Sequence, residues 1–367
     1  MNLLFVLSQK ELTGAETYAA SLIGELRAKG HKVVLVSDTL TCEIDVPYYR
    51  ISLNNRKSPF NRIRHIMTLC KIIKKEGIAL IHAHSRASSW PGYFASKLTH
   101  IPLVTTAHCI LPVHLSSRLF PCFGERVIAI CGAVKDHLIR DFGIKAKDVF
   151  LIPNGIDTNC FRSVGQVGPV GQVGQEKVIS WIGRFSGPRG RLIETMVEKV
   201  IPVIRKAIPD LRLLIVAGGN RPLSLEKKVS AINSEFSEEA ISFTGFRRDI
   251  PSICASSNLV IGAGRVALEA MACGRPVVAL GEKQALGLIT PQNLENGIYT
   301  NFGDCCQEQP IEWDSLALSI IELLKNKKEA KELGDWGRDV VLAQFEIGKV
   351  ARGVEEVYKS ALNIYRK

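Results

Sequence analysis

The strongest constraint on this fold is a recurring string of short apolar runs. "KVVLVS", "IALIHAH", "PLVTTAH", "RVIAI" and "VFLIPNG" follow one another through the first half of the chain, each with four to six nearly all-apolar residues. A strand with one wet face alternates polar and apolar side chains, whereas one that is apolar throughout is covered on both faces. A parallel sheet meets that demand, because its crossovers lay helices over both sides. The expectation is a mostly parallel, doubly wound α/β fold. The opening fits it. Leu3–Leu7 reads as a first strand and "SQKELTG" as a loop, and Ala15, Ala19, Leu22 and Leu26 repeat at helical spacing before Gly30.

The pattern then starts again. "KVISWIGRF", "LRLLIVAGG", "AISFTGF", "NLVIGAG" and "RPVVALGE" read as a second set of buried strands, and the tail from Trp313 reads as helical. At 367 residues the chain is long enough for two domains. Residues 163–176, "SVGQVGPVGQVGQE", lack either period and have the composition of a linker or extended loop. The expected division is a Rossmann-like domain over 1–162 and another over 177–346, facing a cleft where ligands sit.

Composition narrows the function classes. No apolar run approaches the length that spans a bilayer, and the N-terminus lacks the basic region and cleavage site of a signal peptide. Ten cysteines are scattered without C-x-x-C spacing, which argues for a reducing cytosol and against zinc. The net charge is +11, concentrated before residue 176, where all eight histidines also lie. Residues 46–75 hold eight Lys+Arg and no acid. Within 56–75, Ile66, Leu69, Ile72 and Ile73 accompany Arg62, Arg64, Lys71, Lys74 and Lys75. Such a helix can rest on anionic lipid, or it can pack on the sheet with a solvated basic face. No nucleic-acid module signature accompanies the charge, so nucleic acid is not an expected partner.

Three glycine turns lie where strands run into helices. Gly14 opens the first helix, whose N-terminal N–H groups can face an anion; a plain strand-to-helix turn fits equally. Gly183 and Arg184 end a strand, with Arg189 five residues on, and two guanidiniums there suit a diphosphate. In "GAGRVALEAMACG", Gly264, Arg265 and the amide of Val266 can hold a phosphate at a helix start, and Glu269 one turn later can accept from sugar hydroxyls. The competing reading of Glu269 is a buried acid paired with an arginine.

Taken in order, "TGAE", "HAHS", "TTAH", "VFLIPNGIDTNCF", "WIGRFSGPRG", "FTGF" and "LEAMACGRPVVA" resemble the retaining group-1 (family 4) glycosyltransferases of the GT-B fold over nearly the whole chain. The resemblance implies two Rossmann-like domains, with the C-terminal helix 347–367 crossing back to the first. It implies sugar transfer from a nucleotide-diphosphate donor, without a cofactor or required metal. His108 matches a histidine near the transferred sugar, and Arg184 an arginine on the diphosphate. Arg189 stands where lysine is usual, and Thr13 where the loop before Gly14 usually has glycine. Phe246 lies in a loop resembling the one beside the nucleobase. Glu269 matches the second acid of an E-x7-E element, expected on the ribose. The first acid of that element falls at Ile261, which cannot accept a hydrogen bond.

The expected chemistry is front-side displacement, with the departing diphosphate stabilised by Arg184, Arg189, Arg265 and the helix start. The expected acceptor is a glycan or lipid-linked molecule of cell-envelope or exopolysaccharide synthesis, handled in the cytoplasm or at the inner membrane face. A sugar-nucleotide epimerase and a catalytically silent partner subunit are the alternatives; Ile261 favours the second.

Overall fold

The computed structural model describes residues 1–8, 14–39, 44–53, 58–162, 177–236 and 239–365. The chain divides into two compact units, Met1–Gly155 with Phe345–Lys367, and Ile156–Gln344. The expected linker 163–176 lies outside the described residues, as does Thr13. Residues 156–162, expected with the first domain, group with the second unit. Within that unit Phe161 is buried, and its carbonyl accepts from Arg338 at 3.3 Å.

The first unit is a seven-stranded, wholly parallel sheet. Its strands are β1 (Asn2–Val6), β2 (Lys32–Ser37), β3 (Tyr48–Arg50), β4 (Leu80–Ala83), β5 (Leu103–Ala107), β6 (Arg126–Ala129) and β7 (Val149–Leu151), in spatial order 3-2-1-4-5-6-7. β1 pairs in parallel with β2 on one side and β4 on the other, with Leu3 opposite Val33 and Leu80. Leu3, Leu4, Phe5 and Val6 are all buried, as an apolar run covered on both faces requires.

The covering helices explain how. Tyr18, Ala19, Leu22, Ile23 and Leu26 of the helix Gly14–Ala28 fill one face. The same core takes Ile347, Val350, Ala351, Val354, Val357, Tyr358 and Ala361 from the last helix, Ile347–Tyr365. These positions repeat every three or four residues, and each buried valine is worth roughly 1.5–3 kcal/mol of transfer free energy. Packing of this kind makes the C-terminal helix part of the first unit.

On the opposite face the helix Pro59–Glu76 buries Leu69, Ile72 and Ile73 against Leu4, Val6, Val34 and Ile81. The apolar residues that could have met lipid are therefore core, and the packed-helix reading of this segment holds for them. Its outward face still carries Phe60, Ile63 and Met67 at 83%, 59% and 50% exposure, beside exposed Arg64, Lys71 and Lys74. No helix among the described residues is long and apolar enough to cross a membrane.

The second unit has six strands: β8 (Lys177–Arg184), β9 (Leu211–Gly218), β10 (Ile241–Gly245), β11 (Leu259–Gly262), β12 (Val277–Leu280) and β13 (Ala285–Leu288), ordered 10-9-8-11-12-13. All pairs are parallel except β12–β13. In both units the chain order reverses once beside a central strand, between β1 and β4 and between β8 and β11. In open α/β sheets ligands bind outside the carboxyl ends of the strands at that reversal.

Candidate active site

At the reversal point of the second unit, β8 ends in Gly183 and Arg184, and β11 runs through Gly262 to the helix Arg265–Ala272. Close packing dictates the glycines. A Cβ on Gly183 would stand 2.7 Å from the Trp181 ring, and one on Gly262 would stand 2.4 Å from Val266 Cγ1. Gly264, the residue before the helix, has φ of 56°, a conformation that costs other residues.

Arg184 and Arg189 converge here, and both meet acids. Arg184 Nη2 and Arg189 Nε donate to the same oxygen of Glu282, each at 3.0 Å. Arg189 Nη2 also donates to Asp304 Oδ2 at 2.6 Å. Burial pulls Glu282 upward, but the two guanidiniums hold its carboxyl below the usual range. For Asp304 burial wins over Arg189, and its pKa is raised. Neither acid was singled out from sequence. They lie 93 and 115 residues from Arg189, and only folding brings the charges together.

The helix start differs from the sequence expectation in detail. The Val266 amide donates to Ala263 O at 3.2 Å, closing a local turn. Arg265, expected on a phosphate, turns inward, and its Nε donates to Glu269 Oε1 at 2.7 Å with both side chains buried. Burial raises the Glu269 pKa, against the pull of Arg265. The arrangement is the buried acid–arginine pair. Ile261 is fully buried among Ile179, Trp181, Val278 and Leu280.

Beside this point a cavity of about 570 Å³ opens at the ends of β9 and β10, lined by Phe185, Gly218, Gly219, Arg221, Phe243 and Phe246. Phe246 is half-exposed and lies against Gly218, where a Cβ would come within 3.2 Å of its ring. The Arg221 guanidinium stacks 4.3 Å from the centroid of Phe243. Flat aromatic and guanidinium faces of this kind suit a planar heterocycle.

The first unit holds a separate polar cluster. His82 lies on β4, His84 directly follows that strand, and His108 directly follows β5. His84 Nδ1 lies 3.4 Å from His108 Nε2. His82 is clamped between Tyr358 OH at 2.6 Å and Thr106 Oγ1 at 2.8 Å. The Phe5 ring stacks on His84. Burial pushes His108 down to about 4 and His82 to about 3, so both imidazoles are neutral at pH 7. A neutral His108 can orient a hydroxyl but is a poor base. Gly14 is exposed at the first position of its helix, and residues 9–13 before it lie outside the described region.

Sheet order, strand-end glycines and a glycine-led helix start together define an α/β protein of two Rossmann-like units. The family models named Glycosyltransferase Family 4 and Glycosyl transferases group 1 match residues 12–159 and 176–326, and the chain belongs to this glycosyltransferase family. It is 23% identical to the N-acetyl-alpha-D-glucosaminyl L-malate synthase of Bacillus anthracis over 95% of this chain and 94% of the relative. It is 24% identical to an Escherichia coli UDP-Gal:alpha-D-GlcNAc-diphosphoundecaprenol alpha-1,3-galactosyltransferase over 59% and 61%. Among solved structures, Anabaena HepE in complex with UDP and glucose superimposes with a TM-score of 0.74 at 20% identity, over 98% of this chain and all of that one.

Proposed function

We propose that the protein is a retaining, metal-independent glycosyltransferase that moves a sugar from a nucleotide-diphosphate donor to a glycan or lipid-linked acceptor in cell-envelope synthesis. The observation that carries this is the convergence of Arg184, Arg189 and the helix start at the strand-order reversal, beside the aromatic cavity around Phe246. In this reading the nucleobase lies against Phe246 and the diphosphate against the two guanidiniums. Glu269 meets the ribose through the oxygen it does not share with Arg265 Nε. As the sugar leaves, charge grows on the diphosphate, and the pre-placed guanidiniums stabilise it. The leaving phosphate takes the acceptor's proton, in keeping with a His108 too weakly basic at about 4 to do so.

The acceptor is assigned to the first unit. A lipid-linked acceptor is favoured by Phe60, Ile63 and Met67, which stand out among basic residues on the helix Pro59–Glu76. The name of the E. coli relative is consistent with that class. The experiment is a thermal-shift screen of nucleotide diphosphates and nucleotide sugars on wild type and Glu269→Ala. A donor raises the melting temperature of wild type, and the variant responds less. Absence of any shift favours the second reading, a silent partner subunit, which the buried Ile261 supports.

A further inference from the structure

Ile261 leaves the end of β11 without a carboxylate, yet another carboxylate stands beside the same helix start. Asp304 closes a turn in which Asn301, Phe302 and Gly303 have φ of 51°, 56° and 88°. Three successive left-handed residues, two of them not glycine, persist only where their surroundings fix them. Here the fixing is extensive. The Gly303 carbonyl accepts from the amides of Lys283 and Gln284, both at 3.1 Å, and the Gly303 amide donates to Thr300 Oγ1 at 3.2 Å. Gly281 lies so close that a Cβ there would stand 2.2 Å from the Gly303 carbonyl carbon.

The turn aims Asp304 at the candidate site. Its Oδ1 accepts from the Glu282 amide at 3.1 Å, and its Oδ2 accepts from Arg189. The Cβ that Gly264 lacks would stand 2.9 Å from Asp304 Oδ2 and 3.1 Å from Asn301 Nδ2. A carboxylate in this place repels a phosphate but accepts readily from a hydroxyl. Arg189 balances its charge, and a guanidinium has five N–H donors, of which the bonds to Glu282 and Asp304 use two.

We propose that Asp304 is a specificity-determining residue that accepts a hydrogen bond from a hydroxyl of the transferred sugar. It does from the 301–304 turn what Ile261 cannot do from β11. The assignment rests on the donor reading above.

The test is calorimetric titration of wild type and Asp304→Asn with UDP and with UDP-glucose, and with the corresponding ADP and GDP pairs. For the pair that wild type binds, the variant keeps diphosphate affinity within about threefold and loses about tenfold or more for the sugar-bearing donor, the scale of a hydrogen bond to a charged group. A deoxy-sugar donor lacking the recognised hydroxyl binds wild type with the same loss and binds the variant with none beyond it. Equal weakening of diphosphate and donor overturns the proposal and leaves Asp304 as a support for Arg189; unchanged affinities overturn it as well. If Asp304→Asn fails to fold, Asp304→Glu keeps the charge but moves the carboxylate by a methylene, and an unchanged ratio there is equally fatal. Wild type binding none of the probes removes the donor reading and the assignment together.

Discussion

Acidification should loosen the first unit and spare the second. His82 is fully buried, and its pKa is lowered from 6.5 to about 3, first by burial and then by the neighbouring His108. The folded value lies below the unfolded one, so the fold is favoured wherever the ring is neutral in both states, above about 6.5. That stability is lost as pH falls from about 6.5 towards 3, because the unfolded chain takes up a proton that the folded chain refuses. Between pH 7 and pH 5 linkage removes about 2 kcal/mol through His82 alone. His84 and His108 are shifted the same way and add to the loss. All eight histidines lie in the first unit, so the second unit is an internal control. There Glu269 and Asp304 are raised acids that bring a gain on acidification, and the lowered Glu282 brings its loss only as pH falls below about 4.5, outside the window tested. Amide hydrogen exchange resolves the two units. Corrected for intrinsic rates, opening of β4 and β5 should increase about 30-fold or more from pH 7 to pH 5, while β8 and β9 change little. Protection of β4 and β5 that tracks β8 and β9 would refute the neutral, buried histidine cluster.

Three further outcomes follow from contacts in single elements. Tyr358→Phe removes the 2.6 Å bond to His82 and leaves a buried ring nitrogen unpaired, at a cost of about 1–3 kcal/mol in urea unfolding of the first unit. Gly303→Ala places a Cβ 2.2 Å from the Gln284 carbonyl oxygen at φ of 88°; it should cost roughly 2 kcal/mol or more and abolish the thermal response to donor. Phe60→Ser with Ile63→Ser should leave the melting temperature nearly unchanged, since both side chains are exposed, yet release the protein from anionic liposomes in a pelleting assay at low salt. Retained pelleting would remove this face from the membrane reading.

Local sequence carried much of the architecture. The apolar runs at β1, β2, β4 to β6, β8, β9, β11 and β12 are largely buried in the structure, and the two α/β units follow from them; the edge runs at β7 and β10 are covered only in part, with Leu151 50% exposed. β3 and β13 left no such trace. They are edge strands of three and four residues, none fully buried, and an edge needs no continuous apolar run. The strand-end arginines and glycines were legible because a turn imposes residue types on adjacent positions. Which face of the helix Pro59–Glu76 would be buried was not, since Leu69 and Ile72 face inward only because the sheet lies there. The same distinction governs the candidate site. Periodicity and turn chemistry are short-range and written into neighbouring residues. The pairing of Arg184 and Arg189 with Glu282 and Asp304, and of Arg265 with Glu269 rather than an incoming phosphate, depends on which charges the closed chain places within 3 Å of one another.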